Sequence, residues 1–312
     1  MRAIHVRRFG GPEVLTVTEL PDPVAGPGQL LVRVLAAGVN YADTHRTDGS
    51  YRAQQALPFV PGTEVVGLDA DGRRLLAPVF PGGAYAELAV VAEDQAVEVP
   101  PAVSDGAALA LLVQGMTAWH VLRSSARLAP GESVVVTAAA GGVGSLAVQL
   151  ARRFGAGRII AAASTADKRA LAAEFGAHAT VDSSPDGFAD RVIAANGGRP
   201  VDVVLESTGG PLFTESLAAL GAFGRLVTFG NASRQGRPPV DPAVLAEHNR
   251  AVAGFWLRPV LDDRRPLHEL LALAADGAIR PAIGREYALA DARQAHEDLL
   301  ARRTVGKLVL RP

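Results

Sequence analysis

The 312-residue chain contains no cysteine, which excludes a disulfide framework, a thiolate metal site and a cysteine nucleophile. It also lacks an excess of either charge, with 31 Lys and Arg against 32 Asp and Glu and a formal net charge of −1. The basic residues are scattered, so neither nucleic acid nor an anionic membrane surface is an expected partner. Long apolar runs are missing too. No stretch approaches the roughly 20 residues of a bilayer-spanning helix. The segment Met1-Arg-Ala-Ile-His-Val-Arg-Arg-Phe9 has no signal-peptide core. These absences lead to the expectation of a cytoplasmic protein acting on a small, nearly neutral molecule.

At this length two domains are more natural than one core. From Met1 to about Pro101 the chain shows short apolar runs cut by Gly and Pro, among them Leu30–Leu35, Val65–Leu68, Arg74–Pro78 and Tyr85–Val91; these predict strands of an irregular β domain. Helical texture starts at Ser104, an N-cap residue type, and a second helical stretch runs over Thr117–Leu122. Beyond Pro130-Gly131, strands at Ser133–Thr137, Arg158–Ala163, Ala179–Val181, Val201–Leu205 and Arg225–Phe229 alternate with helices at Val143–Phe154 and Ala166–Phe175. Continuous apolar strands separated by helices predict an α/β doubly wound parallel sheet, covered on both faces. The tail adds helices at Pro266–Asp276 and Asp291–Arg302 and a strand at Lys307–Leu310. That last strand needs a partner, and the N-terminal β domain offers one. The predicted division is 110–251 for the α/β domain, with 1–109 and 252–312 forming one discontinuous domain.

Between the first α/β strand and its helix lies Ala138-Ala-Ala-Gly-Gly-Val-Gly144. Fitted to Gly-x-Gly-x-x-Gly, the glycine positions fall on Ala139, Gly141 and Gly144, so the first is alanine. The motif alone is weak, but a strand before it and an amphipathic helix after it supply the context it requires. Ala140, Gly141, Gly142, Val143 and Gly144 are therefore the predicted cradle of a dinucleotide pyrophosphate, at a helix N-terminus rich in unpaired N–H donors. An NAD-preferring site places an acid about 20 residues further on. Here that position is Ser164, followed by Thr165, Lys168 and Arg169. Hydroxyls and cations suit a 2′-phosphate, so the expected cofactor is NADPH.

With these residues in view, the chain resembles the medium-chain dehydrogenase/reductase superfamily, and within it the zeta-crystallin-like quinone oxidoreductases. The markers are Ala37-Gly-Val-Asn-Tyr-Ala-Asp43, Pro61-Gly-Thr-Glu64, Gln114-Gly-Met-Thr-Ala118, the glycine loop, Phe229-Gly-Asn-Ala232 and Val305-Gly-Lys-Leu-Val-Leu310. The resemblance implies a Rossmann domain set into a GroES-like catalytic domain made from both chain ends, and a homodimer. It places Thr117 near the nicotinamide ribose, Gly230 and Asn231 at the cofactor, and Lys307 within its reach. Zinc-dependent members carry Cys, His and a third ligand at positions that here are Asn40, Thr63 and Val113. An amide, a hydroxyl and a valine cannot hold zinc tetrahedrally, so no metal is expected.

Without a metal, the chemistry left is hydride delivery from NADPH to an electron-poor acceptor, a quinone or an α,β-unsaturated carbonyl. The developing oxyanion needs a hydrogen-bond or proton donor. By resemblance Asn40 contacts the reactive region, on both the acceptor and cofactor sides, and Tyr51 lines the acceptor pocket. His45 stands where related bacterial enzymes often have Tyr, and its imidazole is a candidate proton donor. Tyr41 and Asp43 read as scaffold, the first packed under the sheet and the second capping a turn. Glu64 also reads as structural. Asp182 falls where relatives often place a Tyr near the adenosine phosphate, and an acid there weakens the NADPH assignment without reversing it. An enoyl or enone reductase and a non-catalytic NADPH-binding sensor or structural protein are the competing readings.

Overall fold

The computed structural model describes residues 1–53 and 55–312. The chain divides into two compact units, Met1–Val113 with Asp262–Pro312, and Gln114–Leu261. Composition places the breaks at 109/110 and 251/252, because helical texture gives no sign of where one set of contacts ends and the next begins.

The first unit is built on a seven-stranded sheet among the described residues. Its order is Ile283–Ala288, Lys307–Arg311, Gln29–Val39, Glu64–Leu68, Arg74–Pro78 and Val97–Glu98, with Leu88–Ala92 also paired to Gln29–Val39. Along Gln29–Val39, exposed and buried residues alternate as far as Val34, and from Ala36 to Val39 every residue is buried. The strand thus passes from a one-sided to a two-sided environment. The C-terminal strand runs antiparallel to it, with Leu308 opposite Val39, Val309 opposite Gly38 and Leu310 opposite Ala37. Ile4, Val65, Tyr85, Leu308 and Leu310 share one apolar core. The helix Tyr41–Thr47 begins one residue after the strand ends. Tyr41 opens it half-buried, edge-on to the His45 ring at 5.6 Å.

The second unit holds a six-stranded, all-parallel sheet in the order Ala179–Asp182, Arg158–Ala163, Ser133–Val136, Val201–Glu206, Leu220–Thr228 and Ala251–Gly254. Chain order reverses between Ser133–Val136 and Val201–Glu206, which makes the carboxyl ends of these two strands the topological switch point where such sheets bind ligands. The helix Gly142–Arg153 covers the sheet with Leu146, Ala147, Leu150 and Ala151, all at zero exposure. Burying each leucine contributes about 1.5–3 kcal/mol. This unit is the doubly wound Rossmann fold, and the first is the GroES-like β-rich fold.

Candidate active site

In the second unit the strand Ser133–Val136 leads through Thr137 into the glycine loop. Ala138 adopts φ 48°, and Gly141 N–H closes the turn on Ala138 O at 2.8 Å. Ala139, which replaces the first glycine of the motif, is not at positive φ; its N–H donates to Ala162 O at 3.0 Å. The left-handed residue is its neighbour, so alanine is tolerated there. At Gly144 a Cβ would run into Ala138 O and lie 2.7 Å from Ala139 Cα, so only glycine lets the helix sit this close to the loop. Gly141 caps the helix, and the amides of Gly142, Val143 and Gly144 form its first turn, where N–H groups have no intrahelical acceptor. The side chain of Gln114 lies directly against Gly142, filling the space a Cβ would take. Its Oε1 is buried with no hydrogen-bond partner.

Other groups line the switch point. Thr137 Oγ1 donates to Leu205 O at 3.0 Å and lies 3.3 Å from Ser207 Oγ. Gly230 backs directly onto Ser207 O with no room for a side chain, and Asn231 Oδ1 accepts from Gly236 N at 3.0 Å. Thr117 is buried on the helix Met116–His120. Glu206, buried at the end of its strand, accepts from Thr208 N and Gly209 N, and desolvation raises its pKa.

After the second strand, Ser164 and Thr165 are exposed. Thr165 Oγ1 accepts from Lys168 N at 3.3 Å and caps the helix Ala166–Glu174. Arg169 donates to Ala163 O at 3.0 Å and Asp182 at 2.8 Å. Bonds from Ser184 first, and then the Arg169 charge, hold the Asp182 carboxyl below its usual value. The acid that argued against a 2′-phosphate is thus tied to the neighbouring guanidinium.

In the first unit Asn40 is at the centre of a buried cluster. Its backbone N–H donates to Asp43 Oδ2 at 2.9 Å, its Nδ2 donates to Glu64 Oε1 at 2.7 Å, and its Oδ1 accepts from Lys307 Nζ at 2.9 Å. Lys307 also pairs with Glu64 Oε1, and Glu64 Oε2 accepts from Val113 N at 3.1 Å. Beneath the helix, Tyr85 donates to Asp43 Oδ2 at 3.1 Å and lies 3.2 Å from His296 Nε2. His45 Nδ1 is 2.7 Å from Ser50 Oγ, and Arg46 lies over the Tyr51 ring at 4.4 Å.

Comparison with known proteins accounts for this arrangement. Residues 26–68 match an alcohol dehydrogenase GroES-like domain, and residues 142–275 match a zinc-binding dehydrogenase domain. A quinone oxidoreductase of Pseudomonas aeruginosa is 35% identical, covering 100% of this chain and 99% of that one. A mycobacterial protein solved with NADPH superposes with a TM-score of 0.93 at 37% identity over 100% of both chains. The Escherichia coli quinone oxidoreductase, also solved with NADPH, gives 0.92 at 30% identity over 100% of both. The chain belongs to the quinone oxidoreductases of the medium-chain dehydrogenase/reductase superfamily.

Despite the name of the second domain model, this member's residues do not fit zinc. The zinc-ligand positions hold Asn40, engaged by Glu64 and Lys307, a buried Thr63, and Val113. Among the described residues no three His, Cys, Asp or Glu converge as metal ligands. Lys307, expected within reach of the cofactor, has no exposed side-chain surface, and its ammonium is taken up by Asn40 and Glu64. The sequence singled out neither Gln114 nor Ser207 as a site residue. Only the position of Gln114 in the Gln114-Gly-Met-Thr-Ala118 marker hinted at the first.

Proposed function

We propose that the protein is an NADPH-dependent oxidoreductase that transfers a hydride to a quinone or a similar electron-poor acceptor. The observation carrying this reading is Asn40, a neutral amide held by Glu64 and Lys307 at the position zinc-dependent relatives give to a metal ligand. Such a site cannot lower the pKa of an alcohol through a metal, but it can donate a hydrogen bond to an oxyanion that forms as hydride arrives.

The first-turn amides of Gly142, Val143 and Gly144, with Ala140 and Gly141, would hold the pyrophosphate. Ser164, Thr165 and Lys168 would receive the 2′-phosphate, and Thr117, Gly230 and Asn231 the nicotinamide end. NADPH supplies the hydride when bound. Asn40 stabilises the acceptor oxygen, Tyr51 forms a wall of the acceptor pocket, and His45 delivers the proton that completes reduction. Assignment of acceptor binding to 1–109 with 252–312 and of the dinucleotide to 110–251, assembly as a homodimer and a cytoplasmic location belong to the same proposal.

The test is a screen with NADPH, read at the nicotinamide absorbance band, comparing a simple quinone with a crotonyl thioester. Faster turnover of the quinone is expected. Turnover of the thioester alone would reassign the enzyme to double-bond reduction, and tight NADPH binding with no turnover would favour a non-catalytic role.

A further inference from the structure

We infer that Lys307 and Glu64 are positioning residues whose paired charges fix which end of the Asn40 amide faces the acceptor. This rests on the assignment of Asn40 to the acceptor oxygen. The three side chains close a ring: Lys307 Nζ to Asn40 Oδ1 at 2.9 Å, Asn40 Nδ2 to Glu64 Oε1 at 2.7 Å, and the same Glu64 oxygen back to Lys307. Lys307 and Glu64 have no exposed surface, and Asn40 is 4% exposed.

An asparagine amide has nearly the same shape in either of its two flipped orientations, so packing alone distinguishes them poorly. Here charge distinguishes them. The observed orientation sets the carbonyl against an ammonium and the NH₂ against a carboxylate, two charge-assisted bonds of the strong class. The flipped one would set NH₂ against ammonium and carbonyl against carboxylate, at a buried site where either repulsion is poorly screened. Nδ2 spends one N–H on Glu64 and retains the second, so the lock guarantees that Asn40 offers a donor.

Stability does not explain the pair. A buried ion pair is often no better than an apolar pair of the same volume, and this one also imposes a requirement on its neighbour. A Cβ at Gly38 would strike Glu64 and lie 2.7 Å from Lys307 Cε, so the interior of a strand gives up a side chain to admit them. Glu64 is fixed from its other oxygen by Val113 N, and the Asn40 backbone by Asp43.

The experiment is a mutant cycle on the full chain. Removing one charge strands the other, so the pair is replaced together as Lys307→Met with Glu64→Gln, in the native protein and in Asn40→Ala. The acceptor is whichever the native enzyme turns over fastest. The charge-free variant should lose about 100-fold in kcat, the scale of a misplaced catalytic group, with NADPH affinity by fluorescence titration changed less than about twofold. In the Asn40→Ala background the same replacement should cost no further kcat, the full coupling expected of residues in one hydrogen-bonded network. Losses in kcat that multiply, or a charge-free variant with native kcat, would overturn the inference. If that variant does not fold, Lys307→Arg keeps the charge but displaces the donor; a drop of at least about tenfold in kcat is expected, and native kcat would overturn the proposal. A native enzyme that reduces enones and not quinones defeats the acceptor assignment alone and leaves the cycle readable.

Discussion

Replacing Asp43 with asparagine should make the protein markedly more sensitive to acid, because two buried titrations that now offset each other would be separated. Asp43 is fully buried, and desolvation pushes its carboxyl from 3.8 to about 6. Between those values the folded state holds a proton the unfolded chain does not, so this contribution to stability is complete below 3.8 and is lost as pH rises through 6. His296 is the mirror case, with burial pulling its imidazole from 6.5 to about 4. There the unfolded chain takes the proton first, so its contribution is complete above 6.5 and is lost as pH falls through 4. Each displacement of about two pH units is worth about 3 kcal/mol. From pH 6 to 4 the two slopes nearly cancel in the native protein. Asp43→Asn removes the arm that gains stability in acid, so relative to native it should lose about 1.4 kcal/mol per pH unit across that interval. His296→Gln should gain a similar amount over the same range. Urea unfolding followed by circular dichroism, in steps from about pH 7 to pH 4, gives both differences. If either variant tracks the native pH profile in parallel, the burial reading of that residue is wrong.

Gly144→Ala should destabilise the second unit by about 1–3 kcal/mol through the clash with Ala138 and Ala139 backbone atoms, and weaken NADPH binding at least about tenfold as the first-turn amides move. Thermal unfolding and fluorescence titration read these two effects separately. Lys168→Ala should lower the ratio of NADPH to NADH efficiency about 10- to 100-fold, the worth of one charge-assisted bond to phosphate; an unchanged ratio would remove Lys168 from the 2′-phosphate site. Exhaustive treatment with a metal chelator should leave turnover intact, and stoichiometric zinc in the purified protein would contradict the donor set at Asn40, Thr63 and Val113.

The inner strands of the parallel sheet and the glycine-loop helix were legible because both faces of those strands are covered, which writes continuous apolar runs into the chain. Ile159–Ala163 is such a run, buried at every residue. The edge strand Ala251–Gly254 has no fully buried residue, and at four residues it is too short to stand out. The pairing of the C-terminal strand followed from its isolation in the sequence. What it carries did not, since Lys307 meets Asn40 across a separation of 267 residues. Periodicity reports which way a side chain faces and says nothing about the charge awaiting it. For the same reason Asp182 looked hostile to a phosphate until Arg169 was found holding it.

The pairing of Lys307–Arg311 with Gln29–Val39 also sets a timetable for synthesis. The second unit is continuous from Gln114 to Leu261, so all its strands exist before Lys307–Arg311 is made. The first unit cannot close its sheet until Lys307–Arg311 is made, and its earliest segments wait through synthesis of the whole second unit with a strand edge unpaired. Because Lys307 lies on that strand, Asn40 gains its ammonium partner only after the second unit has been synthesised. A molecule cut off before Lys307 keeps every strand of the second unit and loses the donor to Asn40 Oδ1.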